Sequence, residues 1–171
     1  MQQVTELELK AIRAQMNPHF LFNALSAIQM LINKNDIKQS NIALAKFGKL
    51  MRLILENSEK QTVSLEDEIK TLKLYIELEA LRFPFNYNLN IDPALDQENM
   101  EIPSMIIQPY IENAIKHGIS KIVEGGKIII STKKINENWI ELTILNSGEL
   151  GYQVDTGIGI ENSKRRLDLQ Y

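Results

Sequence analysis

The segment Gln15–Leu25, with the sequence QMNPHFLFNAL, places a proline and a histidine inside a strongly helical pattern. Around it, apolar residues recur in alternating steps of three and four from Val4 to Ile32, which predicts a long helix with a seam for partner helices. A proline inside a helix removes a backbone hydrogen bond and costs about 3 kcal/mol. Pro18 therefore either bends the helix so that the ring of His19 is exposed, or is a plain kink, and the pattern leaves both interpretations open.

The composition of the 171 residues narrows the classes of protein. With 44% apolar and 24% charged residues, it is typical of a soluble globular chain, and no apolar run reaches the roughly 18 residues that span a bilayer. The net charge of -3 gives no general support for nucleic-acid binding. Cysteine is absent from the sequence, which excludes disulfides and thiolate metal sites.

The first part of the chain predicts a helical hairpin. The polar segment Asn33–Asp36 interrupts the first helix, and a second helix follows to about Glu56. Because a lone hairpin has a small core, pairing of two hairpins into a four-helix dimer is the expected solution. The predicted contact faces are Leu21, Leu25, Ile28 and Ile32 in the first helix and Ala43, Phe47, Leu50 and Ile54 in the second.

The chain is expected to divide near Gln61 into a helical region, residues 1–61, and an α+β domain, residues 62–171. Ser64–Asp67 is a capping-box start for a third helix, which Phe83–Pro84 ends. The further elements expected are a strand over Phe85–Ile91, a helix opened by Ile102–Pro103 and capped by Gly118, strands over Lys127–Thr132 and Trp139–Leu145, and a final amphipathic helix.

The first candidate for chemistry is His19. Met16, His19 and Asn23 recur at spacings of three and four, so a helix presents the imidazole and the amide together on one face. An imidazole with a pKa of about 6.5 is largely neutral at physiological pH, so one ring nitrogen can act as a nucleophile. A lone helical histidine is more often an ordinary surface or core residue, and only its neighbours favour a functional role.

A second cluster lies in Ile106–Gly118, IIQPYIENAIKHG. Glu112 with Lys116, and Asn113 with His117, form two i,i+4 pairs on adjacent faces of one helix. Asn113 offers an oxygen to a hard cation such as Mg²⁺, whereas Lys116 and His117 suit phosphate or ribose. A charged, solvent-exposed face explains the same spacing about equally well.

The third segment is Thr156–Ile160, TGIGI, which precedes a helix that contains Arg165 and Arg166. Gly157 and Gly159 would let backbone N–H groups at the start of that helix approach an anion. A short Gly-x-Gly is weak evidence by itself, because it is more often a turn.

Taken in order, the strings QMNPHFLFNALSAI, IIQPYIENAIKHGI and GIGIENSKRRLDLQY resemble the cytoplasmic part of LytS-like sensor histidine kinases. The resemblance covers essentially the whole chain. It implies that His19 accepts the γ-phosphoryl group of ATP and that Asn113 is the asparagine that ligates Mg²⁺. The other nucleotide-binding positions that it implies are Lys116, His117, Asn146, Gly148, Gly157, Gly159 and Arg166.

The same resemblance implies a fold and partners. The fold would be α+β, with a helical hairpin that forms a four-helix bundle in a homodimer, followed by a Bergerat-type α/β sandwich that binds ATP and lacks its C-terminal strands. The phosphoryl group would pass to an aspartate of a response regulator. The chain would be the cytoplasmic portion of a bacterial inner-membrane sensor, attached to the membrane only through segments absent from this sequence.

One position departs from the usual histidine kinase pattern at the phosphoacceptor. Phe20 stands where most such kinases have an acid that acts as base, although LytS-like strings normally lack that acid. Asn23 matches the polar residue usually found one turn further on. The general base is therefore unassigned, and Glu112 is the candidate, since related ATPases place a glutamate on this helix.

A second departure concerns the residue that binds adenine. The first glycine box normally begins with an aspartate that accepts a hydrogen bond from the adenine amino group. In this sequence Asn146, two residues before Gly148, stands at the position of that aspartate. Asp155 competes for the role, since Asp155–Gly159 spells Asp-x-Gly-x-Gly. Asn146 is preferred, because the later glycines continue into the last helix of the family. An asparagine oxygen can accept the adenine N–H, although more weakly than a carboxylate.

The expected function is that of an ATP-dependent protein-histidine kinase in a two-component system. The alternative is a catalytically silent ATP-binding dimerisation module, for which the uncharged Asn146 is the main argument. A purely structural helical hairpin would leave the glycine-framed loop unexplained. Incubation with γ-labelled ATP separates the first two hypotheses.

Overall fold

The computed structural model describes residues 18–58, 60–136 and 139–148. In chain order its helices and strands are α1 (Pro18–Asn33), α2 (Ile37–Ser58), β1 (Thr62–Ser64), α3 (Leu65–Glu79), β2 (Phe85–Asn90), β3 (Glu101–Pro103), α4 (Gln108–Asn113), β4 (Gly126–Lys134) and β5 (Ile140–Asn146). A π-helical turn, Ala114–Gly118, and a 3₁₀ turn, Ile119–Lys121, continue from α4. This mixture of helices and sheets confirms the predicted α+β class.

Contacts divide the chain into two compact units. Of the described residues, the helical unit contains α1, α2 and Ile69–Arg82, and the sheet unit contains Val63–Glu68 and those from Phe83 to Gly148. The first turn of α3 therefore belongs to the sheet unit and the remainder of α3 belongs to the helical unit. The predicted domains, residues 1–61 and 62–171, stay a prediction.

The turn between α1 and α2 lies where the polar segment predicts it. Asn35 adopts a left-handed backbone with φ of 58°, which asparagine tolerates better than most residues. The Asp36 carboxylate then accepts the amide N–H of Gln39 at 3.1 Å and caps the start of α2. In the part of the chain that the structure describes, no helix is both long and apolar enough to cross a membrane.

The core of the helical unit confirms the predicted face of α2 and changes that of α1. In α2, Ala43, Leu50 and Ile54 are buried and Phe47 is half-buried. Among the α1 residues whose burial is described, Phe20, Ala24, Ala27 and Ile28 are buried. Of the four predicted contact residues Leu21, Leu25, Ile28 and Ile32, Ile28 alone is buried within this chain.

Aromatic packing explains which face of α1 is buried. The ring of Phe20 lies against that of Tyr75 in α3, with centroids 4.5 Å apart and planes inclined by 30°. Both rings are almost fully buried. Because a phenyl ring buries more apolar area than a leucine, this contact turns the face of Phe20 inward and leaves Leu25 and Ile32 46% and 51% exposed.

The sheet unit contains a three-stranded sheet in the order β2-β4-β5, and β1 pairs separately with β3. β2 runs parallel to β4 with Phe85 opposite Gly126, and β4 is antiparallel to β5 with Ile128 opposite Asn146. Ile128 and Ile130 are fully buried on one face of β4. This register brings the end of β5 beside the start of β4, at the edge where the candidate site lies.

Ile102 and Pro103 do not open a helix, because they lie in β3 and α4 begins only at Gln108. Between Pro103 and Gln108, Met105 has a φ of 56°, outside the right-handed helical region. The Met105 amide also donates to the buried carboxylate of Glu68, at 2.8 Å. An amide committed to a side chain in a left-handed turn cannot continue a helical ladder, so the prediction of a helix from Ile102 is wrong.

The predicted glycine C-cap at Gly118 is also wrong. Its φ of -101° lies in the right-handed region, and it is followed by the 3₁₀ turn Ile119–Lys121. A Schellman or αL cap requires a left-handed residue at this point. The reason for a glycine is a close approach of another segment, which is part of the candidate site.

Candidate functional site

The first candidate site lies on α1, in the helical unit. His19 is exposed and Asn23, one turn later, is half-buried. The Asn23 amide nitrogen lies 2.9 Å from His19 Nδ1 and 3.3 Å from Nε2. The predicted pairing of imidazole and amide on one helix face is therefore present in the structure.

The neighbours of His19 hold the helix in place. Phe20, the next residue, is buried against Tyr75 and so fixes the rotation of α1 about its axis. The hydrogen bond from the amide determines whether the bonded ring nitrogen of a neutral imidazole carries the proton. This in turn determines whether the other ring nitrogen carries a lone pair. An oriented, exposed imidazole of this kind can act as a nucleophile.

A second candidate site lies in the sheet unit, on α4 and the π turn that follows it. Glu112 and Asn113 are half-buried, whereas Lys116 and His117 are exposed. The Gln108 side-chain amide donates to Glu112 Oε1 at 2.9 Å, which anchors this carboxylate to the first turn of the helix. The π turn places residues at i,i+5 rather than i,i+4 spacing, and such turns are frequent at functional sites.

Asn146 and Gly148, at the end of β5, lie directly against this turn. A Cβ added at Gly118 would overlap the Asn146 amide nitrogen and lie 3.3 Å from the Ser147 carbonyl oxygen. A Cβ added at Gly148 would lie 2.9 Å from Gly118 Cα. The absence of a side chain at position 118 leaves room for Asn146 and Ser147 beside the turn, and the two predicted nucleotide-binding segments form one surface.

Hydrogen bonds to β4 hold the end of β5 in this position. The amide of Ser147 donates to the Lys127 carbonyl at 2.8 Å, and the amide of Lys127 donates to Ser147 Oγ at 2.6 Å. Asn146 remains exposed, and its side-chain amide makes a long 3.4 Å contact with the Ser147 carbonyl. The side-chain amide of Asn146 is thus accessible, and hydrogen bonds between Ser147 and Lys127 hold the backbone next to it.

Several predicted positions lie outside the described residues. These are Asp155, Gly157, Gly159 and Arg166. The choice between Asn146 and Asp155 as the adenine ligand therefore stays a prediction. For Mg²⁺, the described residues contain no group of three or more His, Asp or Glu side chains that could hold a metal ion. A single amide oxygen from Asn113 fits Mg²⁺, because this ion commonly takes few protein ligands and keeps waters and substrate phosphates.

Two residues that support the site were not recognised from the sequence. For Gly118 the sequence predicts a helix cap, because no local pattern shows that β5 lies close to it. Glu68 is 2% exposed and accepts two backbone amides just before α4. A signal for Glu68 was present, because it lies on the apolar face of α3 between Leu65 and Leu72, where a charge is unusual.

The pKa shifts of two aspartates concern the loop after β2. Hydrogen bonds from the amides of Ala94 and Lys134 lower the pKa of Asp92. A side-chain hydrogen bond from Asn99 lowers that of Asp96. Asp92 connects this loop to β4, since its carboxylate accepts the Lys134 amide at 2.9 Å. These shifts report loop structure rather than chemistry at the candidate site.

Comparison with known proteins matches residues 7–87 to the histidine kinase family. Sensor histidine kinase BtsS of Escherichia coli (strain K12) is 33% identical over 167 residues, which cover 96% of this chain and 29% of that protein. Sensor histidine kinase/phosphatase LytS of Staphylococcus aureus (strain MRSA252) is 30% identical over 144 residues, or 84% of this chain and 24% of that protein. The chain thus spans about a quarter of the length of these relatives.

The segments matched by the family and by BtsS contain the elements that carry the candidate residues. The family match includes α1 with His19 and Asn23, and the alignment with BtsS covers nearly the whole chain, including the sheet unit. The names of both relatives describe sensor histidine kinases. The chain belongs to the LytS-like sensor histidine kinase family.

Proposed function

We propose that this chain is the ATP-binding and phosphoaccepting part of a two-component protein-histidine kinase, in which His19 is phosphorylated by ATP. The observation that carries the proposal is the contact at Gly118, which joins the helix of Glu112–His117 to Asn146 and Gly148 in one surface. The exposed His19 with its amide partner supports the phosphoacceptor role.

The sheet unit is the proposed nucleotide-binding domain, of the Bergerat type. The side-chain amide oxygen of Asn146 accepts a hydrogen bond from the adenine amino group, and the backbone at Gly148 lies beside the nucleotide. Lys116 and His117 are exposed and contact phosphate or ribose. The remaining proposed contacts, which lie outside the described residues, are Gly157, Gly159 and Arg166.

Asn113 is the proposed Mg²⁺ ligand. Its side chain is half-buried, and the exposed Lys116 follows three residues later in the π turn, so we assign both side chains to the phosphates of the nucleotide. Bound Mg²⁺ supplies neutralisation of phosphate charge, which is the main requirement of phosphoryl transfer besides positioning.

His19 is the proposed nucleophile. A half-turn of the Asn23 amide exchanges its nitrogen and oxygen, which are nearly indistinguishable by shape, so that the oxygen accepts Nδ1–H and the lone pair lies on Nε2. A bond forms from Nε2 to the γ-phosphorus while the bond from that phosphorus to the bridging oxygen breaks. ADP leaves with the electron pair, and the ring then loses its Nδ1 proton. We assign the role of base for this proton to Glu112.

The exposed apolar side chains of the helical unit support a homodimer. Leu25 and Ile32 are one heptad apart on α1, and Leu44 and Leu55 are similarly exposed on α2. A four-helix bundle of two hairpins would bury these side chains, and each fully buried leucine or isoleucine contributes about 1.5–3 kcal/mol.

The whole kinase would then act through further partners. The phosphoryl group on His19 passes to an aspartate of a response regulator. The chain is the cytoplasmic portion of a bacterial membrane sensor, and the attachment to the membrane lies in other segments of the full protein.

Labelling with γ-³²P-ATP and Mg²⁺ tests the proposal directly. We expect acid-labile, alkali-stable label on the wild-type chain and none on His19→Ala, whose affinity for ATP stays within about twofold. Gln29→Ala, an exposed change on the same helix, is the control and keeps full label. Asn113→Ala should lose Mg²⁺-dependent ATP binding.

The outcomes separate the two functions. Equal label on His19→Ala would remove His19 from the mechanism, and unchanged Mg²⁺-dependent binding by Asn113→Ala would remove the metal assignment. Nucleotide binding by the wild-type chain without any label would identify the silent ATP-binding module instead.

A further inference from the structure

Glu68 is a buried carboxylate that the proposed mechanism does not use. It lies in the first turn of α3 and is 2% exposed. Its Oε2 accepts the Met105 amide at 2.8 Å, and its Oε1 accepts the Ile107 amide at 3.0 Å. Both oxygens of one side chain therefore bind one short backbone segment, which is typical of a positioning role rather than of a surface acid.

The segment that Glu68 binds has no regular structure of its own. Residues 104–107 connect β3 to α4, and all four are at most 8% exposed. Met105 has a left-handed backbone with φ of 56°, which is unusual for a residue with a long side chain. Buried amides in such a turn need acceptors, and Glu68 provides them for two of the four residues.

The same segment determines where α4 begins. Ile107 immediately precedes the first helical residue, and no side chain caps the helix there. The Ile107 carbonyl accepts the amides of Tyr110 and Ile111, while the Ile107 amide is held by Glu68. Glu68 thus fixes the residue at which α4 begins. If the helix began one residue earlier or later, every later side chain would be rotated by about 100° about the helix axis.

We propose that Glu68 is a positioning residue for the nucleotide site, and this inference rests on the proposed function. Through Ile107 it holds α4 in the rotation that directs Asn113 toward Mg²⁺ and the phosphates. The side-chain hydrogen bond from Gln108 to Glu112 continues this support along the next turn. Glu68 touches neither nucleotide nor metal.

The test compares Glu68→Gln and Glu68→Ala with two controls. Glu66→Gln removes a negative charge from the same turn of α3, and Ile130→Ala destabilises the sheet by removing a fully buried side chain of β4. The affinity for Mg²⁺-ATP is measured for each chain well below its own thermal midpoint. We expect affinity to fall about tenfold in Glu68→Gln and further in Glu68→Ala, because glutamine keeps one accepting oxygen. Both controls should stay within twofold of the wild type.

A second measurement uses the wild-type chain alone and does not depend on any variant folding. We expect the amide protons of Met105 and Ile107 to exchange with solvent as slowly as that of Ile130 in the sheet core. Exchange at least a hundredfold faster would overturn the inference, as would wild-type ATP affinity in Glu68→Ala, or an equal loss in Ile130→Ala. A wild-type chain that binds no ATP would instead refute the proposed function.

Discussion

Gly118→Ala tests whether the contact between the π turn and the end of β5 matters for nucleotide binding. The new Cβ would lie 3.0 Å from Asn146 Cγ and 3.3 Å from the Ser147 carbonyl oxygen, and it would overlap the Asn146 amide nitrogen. The backbone at Gly118 has a φ of -101°, which alanine can adopt. The effect therefore comes from contact with β5 and not from backbone strain.

The expected change in stability is small because two terms oppose each other. Overpacking costs about 1–3 kcal/mol, and replacing a helical glycine by alanine contributes up to about 1 kcal/mol. The free energy of unfolding should fall by about 0–3 kcal/mol. Asn146 is exposed and can rotate away from the new methyl group, which would move its side-chain amide out of the proposed contact with adenine. Loss of one hydrogen bond of about 0.5–1.5 kcal/mol weakens ATP binding by roughly twofold to twelvefold.

Calorimetric titration with ATP and chemical unfolding measure the two quantities. Gly48→Ala is the matched control, since Gly48 lies in α2 with nothing within 4 Å of an added Cβ. It should raise the free energy of unfolding by about 1 kcal/mol and leave ATP affinity unchanged. If Gly118→Ala bound ATP as tightly as the wild type, the contact at Gly118 would have no part in nucleotide binding. Equal weakening in Gly48→Ala would show that the change is not specific to the site.

Three further predictions concern the rest of the structure. Phe20→Ala should lower the free energy of unfolding by about 3–5 kcal/mol in chemical denaturation, because it removes the buried ring that packs on Tyr75; a loss below 1 kcal/mol would contradict this packing. Leu25→Glu should convert a dimer to a monomer in sedimentation experiments if the exposed face of α1 forms the interface, and a wild-type chain that is monomeric at high micromolar concentration would refute it. Asp92→Asn should lower the free energy of unfolding at neutral pH, because hydrogen bonds from the amides of Ala94 and Lys134 hold the pKa of this carboxyl below 3.8. The difference in free energy of unfolding between wild type and variant should be constant above that pH and vanish as the pH falls through the lowered pKa. A difference that persisted in acid would exclude the carboxylate as its cause.

Local patterns predicted those elements whose signals lie within a few residues of one another. The polar turn after α1, the buried face of α2 and the capping of α3 by Ser64, whose hydroxyl accepts the Asp67 amide at 3.1 Å, were all present in the sequence. The alternating strand from Phe85 also formed as predicted. In each case the hydrogen bonds or the apolar face are made within one element or one turn, so the sequence alone contains the cause.

The candidate site was only partly predictable. His19 with Asn23 could be paired from helical spacing, and the cluster from Glu112 to His117 could be placed on one helix. That the end of β5 lies against this cluster followed from the register of two strands and the absent side chain at Gly118. Such a contact joins residues that are far apart in the chain, and no local period encodes it.

The sequence by itself determined the α+β class, the helical hairpin and the family of the chain. Tertiary structure decided which face of α1 is buried, because the partner ring of Phe20 is supplied by α3. It also decided that Ile102 and Pro103 form a strand, because the amides that follow them bind Glu68, more than 30 residues earlier in the chain. Helix propensity is a weak preference of tenths of a kcal/mol per residue, and two buried hydrogen bonds to a carboxylate, each of about 1.5–3 kcal/mol, outweigh it.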